Sequence, residues 1–378
     1  MEIYNSYLEV DLSEIGRNVE KIRRGIGPDV DIIAVLKGNA YGMGHVPVGK
    51  YLAKNRGIET FGCSSVFEAV ALKKAGVGKL ILVMGGVPYH NIPAVVEYDL
   101  HTPAYHEEYL ELLDREAGKT GKTASVHIKI ETGLNRIGVK PGPDLEKLCI
   151  YLKALKHVKV CGIYTHFTQS GIPDKSVTYE QMSKFKEALR QAEAHNFALD
   201  YVHVSNSGAV TWFFEDCITH IRPGAMLYGF DNNVDEKVYS KNLFNLCEVL
   251  SWRAFVTNVK TVPAGETVGY DGAYKITKPT LVATASIGYG DGYTRKLAAS
   301  GKADMLINGK RAAVIAICMD QTFLDVTGLD VKINDEVTIL GKNGSEFISV
   351  FELQRLMKNT YLDVISVIPP RVVRTYKN

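Results

Sequence analysis

Up to about residue 230, short apolar runs alternate with longer stretches in which apolar residues return every three or four positions. A continuous apolar run suits a strand covered on both faces, and three-to-four spacing suits a helix with one buried side. The alternation therefore predicts βα units around a parallel sheet. Strands are expected at residues 31–37, 60–65, 79–85, 100–105, 125–131, 159–167, 201–207 and 220–229. Between them, Val66, Ala69, Val70 and Leu72, or Met182, Phe185, Ala188 and Leu189, form helical stripes with Lys and Glu interspersed. Eight such units are what a (β/α)8 TIM-like barrel requires. Residues 8–12 read as a further strand ahead of the first helix of the series.

Beyond Asn233 the pattern changes to alternating Val, Ile and Thr runs broken by Gly and Asn-Gly turns, with one clear helix near residues 350–357. Asn308-Gly309 and Asn343-Gly344 carry hairpin signals, and Pro263-Ala264-Gly265 marks another turn. The chain thus divides into an N-terminal barrel, residues 1–240, and a C-terminal mostly β domain, residues 241–378. No Pro- or Ser-rich linker separates them.

Composition narrows the function without naming it. A net charge of +2 over 378 residues gives no electrostatic footprint for nucleic acid or an acidic membrane. The six cysteines are scattered singly, without CxxC pairs or zinc-type spacing, so they read as reduced thiols and no metal site is expected. No apolar run approaches the roughly 20 residues that span a bilayer, and the first residues lack the charged and apolar regions of a leader. A cytoplasmic protein is expected.

Lys37 closes the apolar run Ile32-Ile33-Ala34-Val35-Leu36 and opens a Gly-rich turn through Gly44. An amine at the end of a buried strand is poorly solvated; it tends towards the free base, which can attack a carbonyl and hold it as a Schiff base. The same position also suits a lysine that snorkels to water. In a barrel of this kind, working residues sit at the C-terminal ends of the strands. Lys37, Arg136, His166, Asn206, Ser207, Arg222 and Gly224 all fall there on the expected strands. Each alone has a structural explanation, such as a hydrogen-bonded core histidine for His166. Their meeting at one rim is the informative feature.

Taken in order, Ala34-Val35-Leu36-Lys37-Gly38-Asn39-Ala40-Tyr41-Gly42, Lys129-Ile130-Glu131-Thr132-Gly133-Leu134-Asn135-Arg136, Thr165-His166-Phe167, His203-Val204-Ser205-Asn206-Ser207, Arg222-Pro223-Gly224-Ala225, Val268-Gly269-Tyr270, Gly288-Tyr289-Gly290-Asp291-Gly292 and Cys318-Met319-Asp320 carry a resemblance. The chain resembles the alanine racemase family of fold-type III pyridoxal phosphate enzymes over nearly its whole length. The resemblance implies a homodimer with shared sites that racemises a small amino acid. Lys37 would hold the cofactor and act as base on one face of the α-carbon, and Tyr270 of a partner subunit would be the base on the other. A phenol, with an ordinary pKa of about 10, is a weak base at neutral pH. Nearby cations must therefore favour its phenolate, and His166 and Arg222 are the candidates.

The same resemblance places Arg222 against the pyridine nitrogen, where many related enzymes use a carboxylate. Tyr41, Ser207, the amides of Gly224 and Ala225, and Tyr361 would hold the phosphate, with Met84 beneath the ring and His166 and Asn206 beside the cofactor. Arg136 and the Met319 amide would meet the substrate carboxylate, and Tyr289 would narrow the entrance. Lys129 would be carbamylated, giving an anion that orients Arg136; a lysine paired with Glu131 or another carboxylate is the alternative. Tyr289, lying between glycines, and Tyr293, following one, are expected in exposed turns. The chain departs from the usual family pattern at Gly38, Met43, Met84, Gly290 and Leu362-Asp363, which leaves racemisation of serine or another amino acid open. A fold-type III decarboxylase is disfavoured by Arg222. A pyridoxal phosphate binding module without catalysis is disfavoured by the second domain, which carries the candidate base.

Overall fold

The computed structural model describes residues 3–213, 215–230, 244–358 and 360–378. The boundary expected at 240/241 lies outside the described residues. Two compact units emerge: one comprises Ser13–Ala40 and His45–Glu248, the other Met1–Leu12, Tyr41–Gly44 and Val249–Asn378.

The first strand, β1 (Ser6–Asp11), pairs antiparallel with one strand and parallel with the last strand of the second unit. It belongs to that sheet and not to the barrel, a long-range pairing that local periodicity does not encode. The barrel unit follows with β2 (Asp31–Val35), β3 (Thr60–Cys63), β4 (Leu80–Val83), β5 (Thr102–Ala104), β6 (Ala124–Lys129), β7 (Val158–Tyr164), β8 (Tyr201–His203) and β9 (His220–Ile221). All pairings are parallel, in two four-stranded sheets, β4-β3-β2-β9 and β5-β6-β7-β8. Single bridges, Leu82 to His101 and Asn206 to Arg222, join the two sheets edge to edge and close the (β/α)8 barrel.

Ile32, Ile33, Ala34 and Val35 are all buried, the continuous burial of a strand covered on both faces. Outside the strands, the helix Ser176–Ala194 buries Met182, Phe185, Ala188, Leu189 and Ala192, one stripe at helical spacing. Several expected strands are shorter than their apolar runs. β2 stops at Val35, and β9 stops at Ile221 because Arg222-Pro223 follows and proline has no N–H to extend a ladder. Residues 225–229 instead form a 3₁₀ turn, Ala225–Tyr228. β8 ends early because Asn206 caps a short helix, Ser207–Val210, its Oδ1 accepting the Ala209 amide at 3.2 Å.

The second unit contains β10 (Leu250–Val262), a small ribbon of β11 (Thr267–Val268) with β12 (Tyr274–Lys275), then β13 (Thr280–Ala285), β14 (Asp304–Ile307), β15 (Lys310–Ile317), β16 (Thr322–Asp325), β17 (Glu336–Asn343), β18 (Glu346–Ile348) and β19 (Val373–Lys377). Its sheet runs β18-β17-β14-β15-β16-β13-β10-β1-β19, and β17 also pairs with β10, so six of the strands close on themselves. Leu250, Trp252, Ala254 and Val256 alternate inward along β10. Asn308-Gly309 forms a two-residue hairpin with φ of 51° and 75°, the left-handed pair that such a turn requires. Asn343 instead pairs with Glu346, which moves the second turn to Gly344-Ser345. Besides Val350–Met357, two short helices are present at Arg295–Ala299 and Leu362–Ile365. Tyr293 corrects the expectation of an exposed turn: it is fully buried and its ring meets Trp252 edge-on at 6.3 Å.

Candidate active site

The apolar run of β2 delivers Lys37 just past the strand end, with the Leu36 amide still donating to Gly62 O at 2.8 Å. Gly38, Asn39, Ala40 and Tyr41 then adopt φ of 62°, 55°, 54° and 56°, a left-handed turn closed by Ala40 N to Leu36 O at 2.8 Å. Each non-glycine residue in that conformation costs roughly 1–2 kcal/mol, so something must hold it. Glu68 does. Its buried carboxylate accepts the Asn39 amide at 2.9 Å, the Ser64 amide at 3.1 Å and the Ser64 hydroxyl at 2.9 Å. Burial raises the Glu68 carboxyl, but these donors outweigh it and the net shift is downward. Asn39 Oδ1 in turn accepts the His45 amide at 3.1 Å. Glu68 is not among the residues expected at the site, although Ser65-Val66-Phe67-Glu68 has the spacing of a helix-start capping box.

Four basic side chains, Lys37, Lys129, Arg136 and Arg222, converge around this turn. Burial lowers the Lys37 amine, Arg136 and Arg222 lower it further, and Glu68 opposes them. Lys129 alternates inward on β6 and is 1% exposed. Its Nζ donates to Ile130 O at 2.8 Å and stands 5.2 Å from the centre of the Tyr164 ring. Burial and then Arg222 push its amine down to about 7, against the pull of Glu131. Pairing of Lys129 with Glu131 is not what forms, for the Glu131 carboxylate turns to the Gly133 amide. Arg136 is exposed on the loop after β6, which is pinned by Glu131 N to Val139 O at 2.8 Å and Val139 N to Lys129 O at 2.9 Å. Gly138 makes this closure possible: at φ 127°, an added Cβ would lie 2.9 Å from Glu131 N and Lys129 O.

Arg222 is buried at 3% exposure. Its Nη1 donates to His203 Nδ1 at 2.8 Å and His203 O at 2.7 Å, and its Nη2 to Thr165 O at 2.7 Å and Val204 O at 3.1 Å. Its Nε has no acceptor among the described residues. Burial lowers the guanidinium to about 10, so it stays charged at neutral pH. His166 Nδ1 lies 3.5 Å from Arg222 Nη2; burial, then Arg222, Arg136, Lys37 and Lys129, hold its ring well below the ordinary histidine range and therefore neutral. Ser207 Oγ accepts the Gly224 amide at 3.0 Å, which fixes the turn through Gly224 and Ala225. The Asn206 side chain is committed to the protein, accepting from Ser170 Oγ at 2.6 Å and donating to Phe167 O at 3.1 Å. Met84 packs over Gly62, where an added Cβ would come within 3.0 Å of its Cε.

The remaining expected site residues lie in the second unit. Tyr41 ends the left-handed turn, and Gly42 is held by Arg374 Nε donating to its carbonyl at 3.0 Å. Tyr361 is 6% exposed and donates its amide to Gln354 Oε1 at 3.0 Å. Tyr270 is 71% exposed on a 3₁₀ turn, and Met319 is 57% exposed. The Met319 amide has no acceptor among the described residues. Tyr289 donates its amide to Cys318 O at 3.1 Å, and the Arg295 guanidinium lies 4.1 Å from its ring centre.

Lysine with a lowered pKa, a second such lysine, two arginines and carboxylates already occupied by backbone donors suit a ligand that carries a carbonyl and several negative charges. The family model for the alanine racemase N-terminal domain matches residues 10–232, and that for the alanine racemase C-terminal domain matches residues 249–376. The chain is 35% identical to alanine racemase of Methanococcus maripaludis over 372 residues, 98% of each protein. It is 33% identical to alanine racemase 1 of Clostridium acetobutylicum over 374 residues, 98% of this chain and 95% of that one. Among solved structures, alanine racemase from Bacillus anthracis with bound L-Ala-P is similar at TM-score 0.93 and 29% identity, covering 100% of this chain and 96% of that one. Histidine racemase from Leuconostoc mesenteroides is similar at TM-score 0.89 and 25% identity, covering 100% and 99%.

Proposed function

From the premise that the chain belongs to the alanine racemase family and is an isomerase acting on amino acids, we propose that it interconverts L- and D-alanine by a two-base reaction and supplies D-alanine for peptidoglycan. The observation that carries this reading is the desolvated Lys37 amine among Lys129, Arg136 and Arg222. The family depends on pyridoxal phosphate, and the residues present fit that group. A free-base-prone lysine suits its aldehyde, the spare Arg222 Nε suits a ring nitrogen, and the turn fixed by Ser207 suits an anion. When bound, pyridoxal phosphate supplies the carbonyl that captures the substrate amine and the conjugated ring that spreads charge from the α-carbon.

Lys37 would hold the cofactor and would move a proton at one face of the α-carbon. Tyr270 of the partner subunit moves a proton at the opposite face, and racemisation needs both because the proton leaves one face and returns to the other. Arg222 would face the ring nitrogen as a permanent cation with no proton to give, which would limit how far the ring draws charge from the α-carbon and would favour reprotonation over side reactions. Tyr41, Ser207, Gly224, Ala225 and Tyr361 would bind the phosphate, while Met84, His166 and Asn206 would line or frame the cofactor. Arg136 and the unpaired Met319 amide bind the substrate carboxylate, and Tyr289 limits the side chain to a small one. Carbamylated Lys129 orients Arg136.

The same proposal makes the barrel the cofactor domain and the C-terminal β domain the donor of Tyr270 to a homodimeric partner. The high exposure of Tyr270 in a single chain supports this. No helix of the described residues is long and apolar enough to cross a membrane, and a cytoplasmic site of action accords with cell-wall precursor supply. The similarity to a histidine racemase keeps a second amino acid in view, so L-serine and L-histidine are assayed beside L-alanine.

The test is incubation of the holoenzyme with L-alanine in deuterated water, read by chiral chromatography and proton NMR. D-alanine carrying α-deuterium is expected; exchange without inversion would refute the two-base assignment. Mixed and exchanged subunits bearing Lys37→Ala and Tyr270→Phe should recover activity at one shared site per dimer, and none would recover if each chain were self-sufficient.

A further inference from the structure

Barrels of this type are filled by layers of branched apolar side chains, yet here three imidazoles stand in file behind Arg222. His203 Nδ1 accepts from Arg222 Nη1 at 2.8 Å, His203 Nε2 lies 3.0 Å from His127 Nδ1, and His127 Nε2 lies 3.0 Å from His101 Nδ1. His127 and His203 are completely buried on β6 and β8, and His101 immediately precedes β5. Gly162 on β7 leaves room for the file, since an added Cβ there would come within 2.8 Å of His127 Nδ1 and 2.5 Å of Tyr201 O. The Tyr164 ring stacks on His203 at 4.8 Å and 13°.

A guanidinium carries only donors. The nitrogen of His203 that meets it must therefore be bare, which puts that ring's proton on Nε2, facing His127. His127 must then accept at Nδ1 and carry its own proton on Nε2, facing His101, which must accept in turn. We propose that His101, His127 and His203 form a hydrogen-bond chain of single polarity, all three neutral with the proton on Nε2, and that His101 and His127 are positioning residues that act on Arg222 through His203. A proton added at any Nδ1 would set two donors against each other, and the chain cannot reverse because Arg222 cannot accept.

The surroundings favour the neutral rings. Burial lowers His101 to about 4, with Lys73 and Lys159 adding and Asp99 opposing. Burial, then His101, His220 and Arg222, lower His127; burial, then Arg222, His127, His220 and Lys129, lower His203. Each ring that donates becomes a better acceptor at its other nitrogen, so the file strengthens the contact at Arg222. The guanidinium is thereby fixed by neutral acceptors, and among the described residues no carboxylate pairs with it. The consequence for catalysis rests on the reading of Arg222 as the partner of the ring nitrogen; the polarity of the chain does not.

The experiment is two-bond proton–nitrogen NMR on holoenzyme labelled with ¹⁵N-histidine, assigned with His101→Leu, His101→Gln and His127→Gln. All three rings should show protonated Nε2 and bare Nδ1, unchanged between about pH 6 and 9. In His101→Leu, exchange of the His203 ring proton with solvent should quicken about tenfold, the effect of losing one buried hydrogen bond in the file. His101→Gln, which restores an acceptor, should reverse it. A proton on Nδ1 of His127 or His203, a doubly protonated ring, or His203 signals indifferent to His101→Leu would overturn the proposal. Wild-type tautomers answer the question even where a variant fails to fold. Failure of the racemase reading would leave the tautomers intact and abolish α-deuterium exchange instead.

Discussion

Lys129 gives the sharpest quantitative test, because its buried amine has two ways to lose its charge. With its pKa at about 7, the amine is roughly 90% neutral at pH 8, whereas an ordinary lysine at about 10.4 is roughly 0.4% neutral. The form that adds carbon dioxide is thus enriched about 200-fold. Addition forms a bond from Nζ to the carbon of CO2 and releases one proton to solvent, so the product gains as pH rises through about 7. The carbamate anion then stands near Arg222 and Arg136, the two cations that depress the free amine, and it is stabilised by the charges that destabilised the ammonium. Enzyme equilibrated with ¹³C-bicarbonate should show one carbamate carbon by NMR, strong near pH 8.5, lost near pH 6 and absent from Lys129→Met. Removing carbon dioxide should raise KM for alanine about tenfold, the loss of one charge-assisted hydrogen bond at Arg136. A spectrum without a Lys129-dependent carbamate at the higher pH, or with equal intensity at both, would refute the reasoning.

Glu68→Gln keeps the shape of the clasp on the left-handed turn but replaces one accepting oxygen by a donor. Thermal melting should report a loss of about 2 kcal/mol together with weaker retention of cofactor absorbance; an unchanged melt would deny Glu68 its role. Gly138→Ala meets backbone on the other side of the Arg136 loop at φ 127°. It should cost about 2–4 kcal/mol and raise KM for alanine, whereas a variant as stable as the parent would mean that the loop closes differently.

Much of this protein was legible along the chain because it is local. The run from Ile32 to Val35 announces a strand buried on both faces, the spacing from Met182 to Leu189 a helix with one buried side, and Asn308-Gly309 a hairpin with both residues left-handed. Those patterns, counted to eight, give the barrel, and the strand ends then place Lys37, Arg136, His166 and Arg222 at one rim. The tertiary structure decided what depends on residues far apart. β1 joins the second unit's sheet because its partners lie more than 200 residues away, at residues 250–254 and 373–377. Tyr293 is core although glycine precedes it, because the closed sheet brings Trp252 against it. Glu68 clasps Asn39, and three histidines from separate strands line up behind Arg222, only once the barrel closes. Periodicity encodes which face of an element is buried; which groups meet on that face is set by closure, and hydrogen-bond direction is set by the one partner that can only donate.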